Sequence, residues 1–204
     1  MVARAETLRT HDDDPSVDHM VQLHDVSWED YERILAIRGD RSAPRLTYLE
    51  GTLEILSPSR DHGGVKSFIG RLLEAWCLDR GVEFTPYGAW TLKEQREERG
   101  VEPDECYVFG LEKPERPHLA IEVEWTRGGL SKLEVYRKLG VGEVWRWRKG
   151  VISVHLLRGD QYHPAVRSEV LPDLDLELLA TFLDRPTASQ AIRDFRAALG
   201  GHSG

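Results

Sequence analysis

One long amphipathic segment with strand-like runs on both sides most constrains the fold of this chain. From Gly64 to about Arg80, apolar residues recur every three or four positions, which predicts a helix with one buried face. The runs 45–49 and 52–56 have strand character, and the Glu50–Gly51 step between them is typical of a tight hairpin turn. Because a one-sided helix needs another layer to cover it, we predict an α/β (α+β) fold, a mixed β-sheet flanked by helices.

Local signals outline the remaining elements. Ser27 is a typical cap for a helix that runs to about Ile37 and ends at Gly39. The charged stretch 93–100 is predicted to be a loop. Strands are predicted at 82–84, 89–92, 103–109 and 118–125, and helices at 130–139 and 188–199. A hairpin is predicted from 143–148 and 151–157, and a short segment of secondary structure at 176–183.

Composition and charge limit the classes of function. No apolar run approaches the roughly 18 residues that a membrane span needs, and the N-terminus lacks an apolar leader, so we expect a cytoplasmic protein. Residues 1–24 are polar and aperiodic and are predicted to form a flexible extension before a single domain, 25–200. The net charge of −8 argues against a protein that wraps duplex DNA, since neutralising phosphates supplies much of that affinity. Cys77 and Cys106 are too few for a disulfide framework and are expected to be reduced core thiols.

Two acidic residues in the segment 103–125 are the strongest candidates for a functional site. If the two strands form an antiparallel hairpin centred on Lys113, then Asp104 and Glu122 lie opposite one another on the same face. Two opposed carboxylates can hold one Mg²⁺ ion, whereas a shift of one residue would separate them. Glu122 also lies among apolar neighbours, where an unpaired carboxylate is costly. The alternative is a carboxylate at a strand end that faces water.

The same segment resembles a known nuclease pattern. Pro103–Asp104, a connection and then Glu122 in an apolar strand are similar to the PD-(D/E)XK pattern of restriction-endonuclease-like nucleases, although Glu124 occupies the usual lysine position. The Uma family of bacterial restriction endonucleases, formerly a domain of unknown function, instead has a lysine about ten residues later in the following helix. Lys132 matches that position, and the segment 140–145 resembles the family's Gly-Val-x-Glu-Tyr-Trp motif.

The likeness extends over about Asp25 to Leu183. Residues 48–51 resemble the family's first hairpin, and 57–59 with His62 resemble its Ser-Pro and His signature. Its closing strands are matched by Tyr162, 171–172 and Leu174. The loop after the acidic strand differs, because 125–127 are Trp-Thr-Arg where the family has Ser-Pro-Ser. That difference puts catalytic competence in question more than the fold.

The resemblance implies a restriction-endonuclease-like core and a nuclease that depends on Mg²⁺ or Mn²⁺. Asp104 and Glu122 would hold the metal, and Lys132 would complete the catalytic set by orienting or stabilising the attacking hydroxide. The implied partner is nucleic acid, with DNA preferred, and a homodimer would present two sites symmetrically.

The sequence is also compatible with other functions and with further residues near the site. A catalytically degenerate module that binds nucleic acid or a protein would fit the acidic charge, and a different metal-dependent hydrolase could use the same acids. Glu50, His62 and Glu124 are predicted site neighbours, with Glu54 a weaker candidate. Each has a plainer interpretation as a turn residue, a local hydrogen-bond partner or a solvent-facing carboxylate. Asp61 is a candidate cap for the long helix.

Overall fold

The computed structural model describes residues 4–7, 16–88, 90–125 and 128–200. In chain order the strands are β1 (Arg4–Thr7), β2 (His19–His24), β3 (Arg45–Leu49), β4 (Thr52–Ser57), β5 (Phe84–Pro86), β6 (Leu92–Glu94), β7 (Arg99–Val101), β8 (Glu105–Phe109), β9 (Leu119–Val123), β10 (Glu143–Arg148), β11 (Val151–Arg158) and β12 (Gln161–Ala165). The helices are α1 (Trp28–Arg38), α2 (Arg60–Arg80), α3 (Lys132–Leu139), α4 (Leu176–Ala180) and α5 (Ala188–Gly200), with a 3-10 turn at Gln95–Glu97.

The strands form two six-stranded sheets. The first has the order β1-β2-β4-β3-β7-β6 and is antiparallel throughout. The second has the order β12-β11-β10-β9-β8-β5, in which only β9 and β10 run parallel. A parallel pair needs a crossover, and α3 supplies it, which brings the start of α3 back towards the carboxyl end of β9. The predicted mixed α/β fold is confirmed.

The long predicted helix is α2, and its apolar face covers the second sheet. It buries Ile69, Leu72, Leu73 and Trp76 against β9, α4 and α5. The helix begins four residues earlier than its periodicity indicates. Ser59, not the expected Asp61, is the cap, because its hydroxyl accepts the backbone N–H of His62.

The first sheet is covered by α1. Tyr31 of the helix stacks on Tyr48 of β3 with ring centroids 4.9 Å apart, and Leu46 and Leu53 complete this core. The predicted hairpin between β3 and β4 is confirmed. Glu50 and Gly51 have φ angles of 45° and 83°, the left-handed pair that a two-residue hairpin turn requires.

A third apolar cluster joins the two sheets. Val135 and Tyr136 of α3 pack between Val101 of the first sheet and Val144 of the second. Because α3 contacts strands of both sheets, the start of this helix lies where the sheets meet.

Residues 19–24, which lie within the extension predicted for 1–24, form β2 and pair with β4 in the first sheet. Three predictions of single loops and strands are wrong in detail. The predicted loop 93–100 contains the end of β6 and the start of β7. The strand predicted at 82–84 lies at 84–86, and the one at 89–92 begins at Leu92, with Ala89 outside the described residues. Among the described helices, none has the length and apolar character to cross a membrane.

Candidate active site

Asp104 and Glu122 are neighbours across the β8–β9 ladder. The observed register pairs Glu105 with Ile121, so the next pair is Asp104 and Glu122, as the hairpin centred on Lys113 predicts. Both side chains are almost completely buried, at 1% and 3% exposure. The backbone N–H of Val123 donates to Asp104 Oδ2 over 2.9 Å, which ties the two strands together beside the acids.

Both oxygens of Glu122 are held by the first turns of α3. Lys132 Nζ lies 2.5 Å from Glu122 Oε2, and the Tyr136 hydroxyl donates to Oε1. Lys132 and Tyr136 are four residues apart, so they lie on one face of the helix. Burial raises the pKa of Glu122 to about 7, with the charge of Asp104 adding to the effect while Lys132 and Tyr136 oppose it. Burial also acts to lower the pKa of Lys132, but Glu122 and Asp104 outweigh it, and the pKa of Lys132 is raised.

Two basic side chains, His62 and Arg45, lie next to the Asp104 carboxylate. His62 Nε2 lies 3.0 Å from Asp104 Oδ2, and Arg45 Nε lies 3.6 Å from Oδ1. Arg45 also donates to the backbone carbonyls of Pro103 and Asp104. Burial opposes ionisation of Asp104, but Lys132, His62 and Arg45 together hold its pKa well below the usual range. Asp104 is therefore ionised at neutral pH.

His62 joins Asp104 to the segment before β2. Its Nδ1 lies 2.9 Å from Asp18 Oδ2, and Asp18 Oδ1 accepts the backbone N–H of Ser59 over 2.7 Å. Burial acts to lower the pKa of His62, but the two carboxylates outweigh it and raise the pKa to about 9. His62 therefore carries a positive charge at neutral pH, between two acids.

A cleft of about 400 Å³ opens beside Glu122 and Lys132. Glu54 of β4 lies in its wall, where the carboxylate accepts the backbone N–H of Leu130 over 2.7 Å. That contact holds the connection into α3, and a side chain at Gly129 would meet Glu54 Oε2 at 2.6 Å. Trp125 also lines the cleft, stacked on Trp147 with centroids 5.7 Å apart.

The two acids face different hollows. Glu122 lines the cleft described above, whereas Asp104 lines a second hollow of about 380 Å³ beside α2. His62 borders both. The acidic pair thus lies in the wall between two hollows, and both contain basic side chains.

The carboxylates of Asp104 and Glu122 suit a hard divalent cation to which the protein supplies only part of the coordination shell. Within the described ranges, no group of three or more His, Cys, Asp or Glu side chains is arranged to hold a metal. Mg²⁺ often takes only one or two carboxylates and completes its octahedron with water and substrate phosphates. Glu122, whose ionisation burial and Asp104 make costly, is a carboxylate that an added cation would stabilise. Asp104 and Glu122 therefore fit such an ion, provided that Lys132 moves off Glu122.

The predicted neighbours differ in their placement. His62 contacts Asp104 directly. Glu124 lines the cleft but is paired with Arg146. Glu50 does not join the acids: its exposed side chain lies at the β3–β4 turn and pairs with Arg99.

Four further residues complete the site and were missed or undervalued from the sequence: Asp18, Arg45, Glu54 and Tyr136. Tyr136 had a usable signal, because a residue four positions after Lys132 shares its helix face. Arg45 and Asp18 had none, since the chain positions that they contact are 59 and 44 residues away. Of the altered loop at 125–127, residues 126 and 127 lie outside the described residues.

The chain matches a known protein family. Residues 28–184 match the family model Uma2, described as "Putative restriction endonuclease". Among curated proteins, none is similar enough to the chain to count as a match.

Proposed function

Because the chain belongs to the Uma2 family, described as "Putative restriction endonuclease", we propose that it is a divalent-metal-dependent nuclease that hydrolyses phosphodiester bonds. The observation that carries the proposal is the opposition of Asp104 and Glu122 across β8 and β9, with Lys132 on Glu122. The proposed metal ligands are Asp104 and Glu122, and Lys132 is the third catalytic residue.

When bound at these acids, Mg²⁺ or Mn²⁺ would supply charge neutralisation at the phosphoryl oxygens and a lower pKa for a coordinated water. Asp104 contributes a fixed negative charge, since its surroundings keep it ionised. Lys132 is protonated, so it acts as a donor and a positive charge rather than as a base. Freed from Glu122, its ammonium can orient a water or hold a phosphoryl oxygen in the cleft.

The substrate is proposed to be nucleic acid, with DNA preferred. The acidic surface of the whole chain argues against wrapping a long duplex, so contacts are expected to be local. Arg148 borders the cleft and, with the positive end of α3, offers charge for a phosphate there. The homodimer that would present two such sites stays a prediction.

Two substitutions separate catalysis from binding. Asp104→Asn should lose metal binding and cleavage together, because an amide carries no charge to offset the cation. Lys132→Ala should bind metal as well as, or slightly better than, the unmodified protein, because a nearby positive charge is gone. Its cleavage rate should nevertheless fall by about 10²–10⁴-fold, the usual effect of losing a positioned acid–base group.

The measurements are Mn²⁺ titration by calorimetry and metal-dependent nicking of plasmid and single-stranded DNA. Glu50→Gln is the matched control, since it makes the same acid-to-amide change away from the site and should leave both readouts unchanged. Equal, metal-independent activity in every variant would identify a contaminating nuclease and contradict the proposal. Tight nucleic-acid or protein binding by an unmodified protein that never cleaves would instead favour the degenerate binding module.

A further inference from the structure

The segment 16–24 forms part of the site although it lies before the family-matched region, 28–184. Its strand β2 pairs with β4, the strand that carries Glu54. The indole N–H of Trp125 donates to the backbone carbonyl of Ser16 over 2.6 Å, which fixes the segment against the end of β9. The segment is therefore held on both sides of the cleft.

Asp18 is the residue of this segment that reaches the acidic pair. Its side chain is 2% exposed, so its contacts are made out of water. One oxygen accepts the backbone N–H of Ser59 at the start of α2, and the other lies 2.9 Å from His62 Nδ1. These two contacts fix the plane of the carboxylate and, through it, the orientation of the imidazole ring.

With Nδ1 held by Asp18, the ring presents Nε2 to Asp104. The distance to Asp104 Oδ2 is 3.0 Å, and the angle at Nε2 falls outside hydrogen-bond alignment, so the contact is a charge contact. The same Oδ2 also accepts the backbone N–H of Val123. Oδ2 is thus engaged twice at 3.0 Å or less, whereas Oδ1 has one longer charge contact, with Arg45 Nε at 3.6 Å. Oδ1 is therefore the oxygen of Asp104 that a cation can reach at least cost.

We propose that Asp18 and His62 are positioning residues that orient the Asp104 carboxylate for metal binding, so that a segment outside the family-matched region completes the site. This inference rests on the proposed nuclease function. Neither residue touches the cation; each acts through Asp104. Removal of an outer-shell partner of a metal ligand commonly changes metal affinity by about 10–100-fold.

Asp18→Asn tests the inference because it keeps the shape of the side chain. An amide oxygen can still accept the Ser59 N–H, but the amide N–H₂ cannot accept a hydrogen bond from His62 Nδ1. We expect the ¹⁵N ring signals of His62, assigned by their loss in His62→Ala, to shift in Asp18→Asn. We expect the Mn²⁺ affinity, measured by calorimetry, to fall by about 10–100-fold.

Two controls separate positioning from stability and from charge. Ser27→Ala removes the hydroxyl that caps α1, a helix outside the Asp18–His62–Asp104 network, so its thermal midpoint should fall while its Mn²⁺ affinity stays unchanged. Asp173→Asn removes one exposed acid elsewhere and should change neither. Circular dichroism before each titration confirms that the variants are folded.

The outcomes are distinguishable. If Asp18→Asn shifts the His62 signals but binds Mn²⁺ as the unmodified protein does, the positioning role is wrong. Tighter binding would show that His62 only competes for Asp104, which also overturns it. An unmodified protein that binds Mn²⁺ and shows weakened binding in Asp18→Asn, yet cleaves no nucleic acid, supports the positioning role and contradicts the nuclease proposal alone.

Discussion

Replacing Tyr136 with Phe removes one hydroxyl from the buried carboxylate of Glu122 and leaves the aromatic ring in place. The Tyr136 side chain is fully buried, and its hydroxyl donates to Glu122 Oε1. A hydrogen bond to a charged group contributes about 1.5–3 kcal/mol, against about 0.5–1.5 kcal/mol for an ordinary one. For a chain of this size each kcal/mol moves the thermal midpoint by about 2–4 °C, so a fall of about 3–12 °C is expected.

The assays are thermal and urea unfolding in EDTA, so that no divalent ion contributes, at a pH well above the pKa of about 7 at Glu122, so that its carboxylate is ionised. Tyr162→Phe is the matched control, because the Tyr162 hydroxyl donates to an uncharged backbone carbonyl, that of Val141. It should lose less stability than Tyr136→Phe. In a double-mutant cycle with Glu122→Gln, the difference between a charged and a neutral bond predicts a coupling of about 1 kcal/mol.

A coupling within the additivity scatter of about 0.3–0.5 kcal/mol would refute the reasoning. It would mean that the Tyr136 hydroxyl does not share in stabilising the charge on Glu122. Equal losses for Tyr136→Phe and Tyr162→Phe would lead to the same conclusion, since the two bonds would then be worth the same.

Two further outcomes follow from buried charges. Arg38→Met should lower the free energy of unfolding in urea by about 3–5 kcal/mol, because it leaves the buried Glu102 carboxylate without its ion-pair partner. A loss below about 1 kcal/mol, the range of surface ion pairs, would contradict this. Burial acts to raise the pKa of Asp18, but hydrogen bonds from His62 and Ser59 outweigh it and hold the pKa below 3.8. That stabilisation is complete above the unfolded-state pKa of 3.8 and is lost as the pH falls towards and through the lower folded-state value, so Asp18→Asn should cost more at pH 6 than at pH 3. Equal costs at the two pH values would contradict it.

The longer elements could be predicted because their signals are local. The apolar periodicity of α2 extends over five turns, and the caps at Ser27 and Gly39 mark α1 without reference to the rest of the chain. Strands of three residues, such as β6 and β7, contain too few positions for an alternation to appear. β7 forms because the neighbouring strand β3 offers it backbone partners, and β6 pairs in turn with β7.

The sequence by itself predicted the opposition of Asp104 and Glu122, once a hairpin centred on Lys113 was assumed. In an antiparallel hairpin the register follows from counting residues on either side of the turn, and the alternation of a strand then decides which side chains share a face. It also determined that Lys132 lies at the start of the following helix, which is why the three residues could be proposed together.

Only the tertiary structure decided what surrounds the acids. Arg45 and His62 contact Asp104, and Asp18 contacts His62. The three residues come from separate parts of the chain and meet because the two sheets and α2 pack together. Nothing in their local sequence specifies such a meeting, since a contact between residues tens of positions apart depends on the whole fold. Those contacts set the charge balance of the site: they keep Asp104 ionised and His62 protonated. Likewise Glu50, a candidate by sequence, is carried away from the acids by the turn in which it lies.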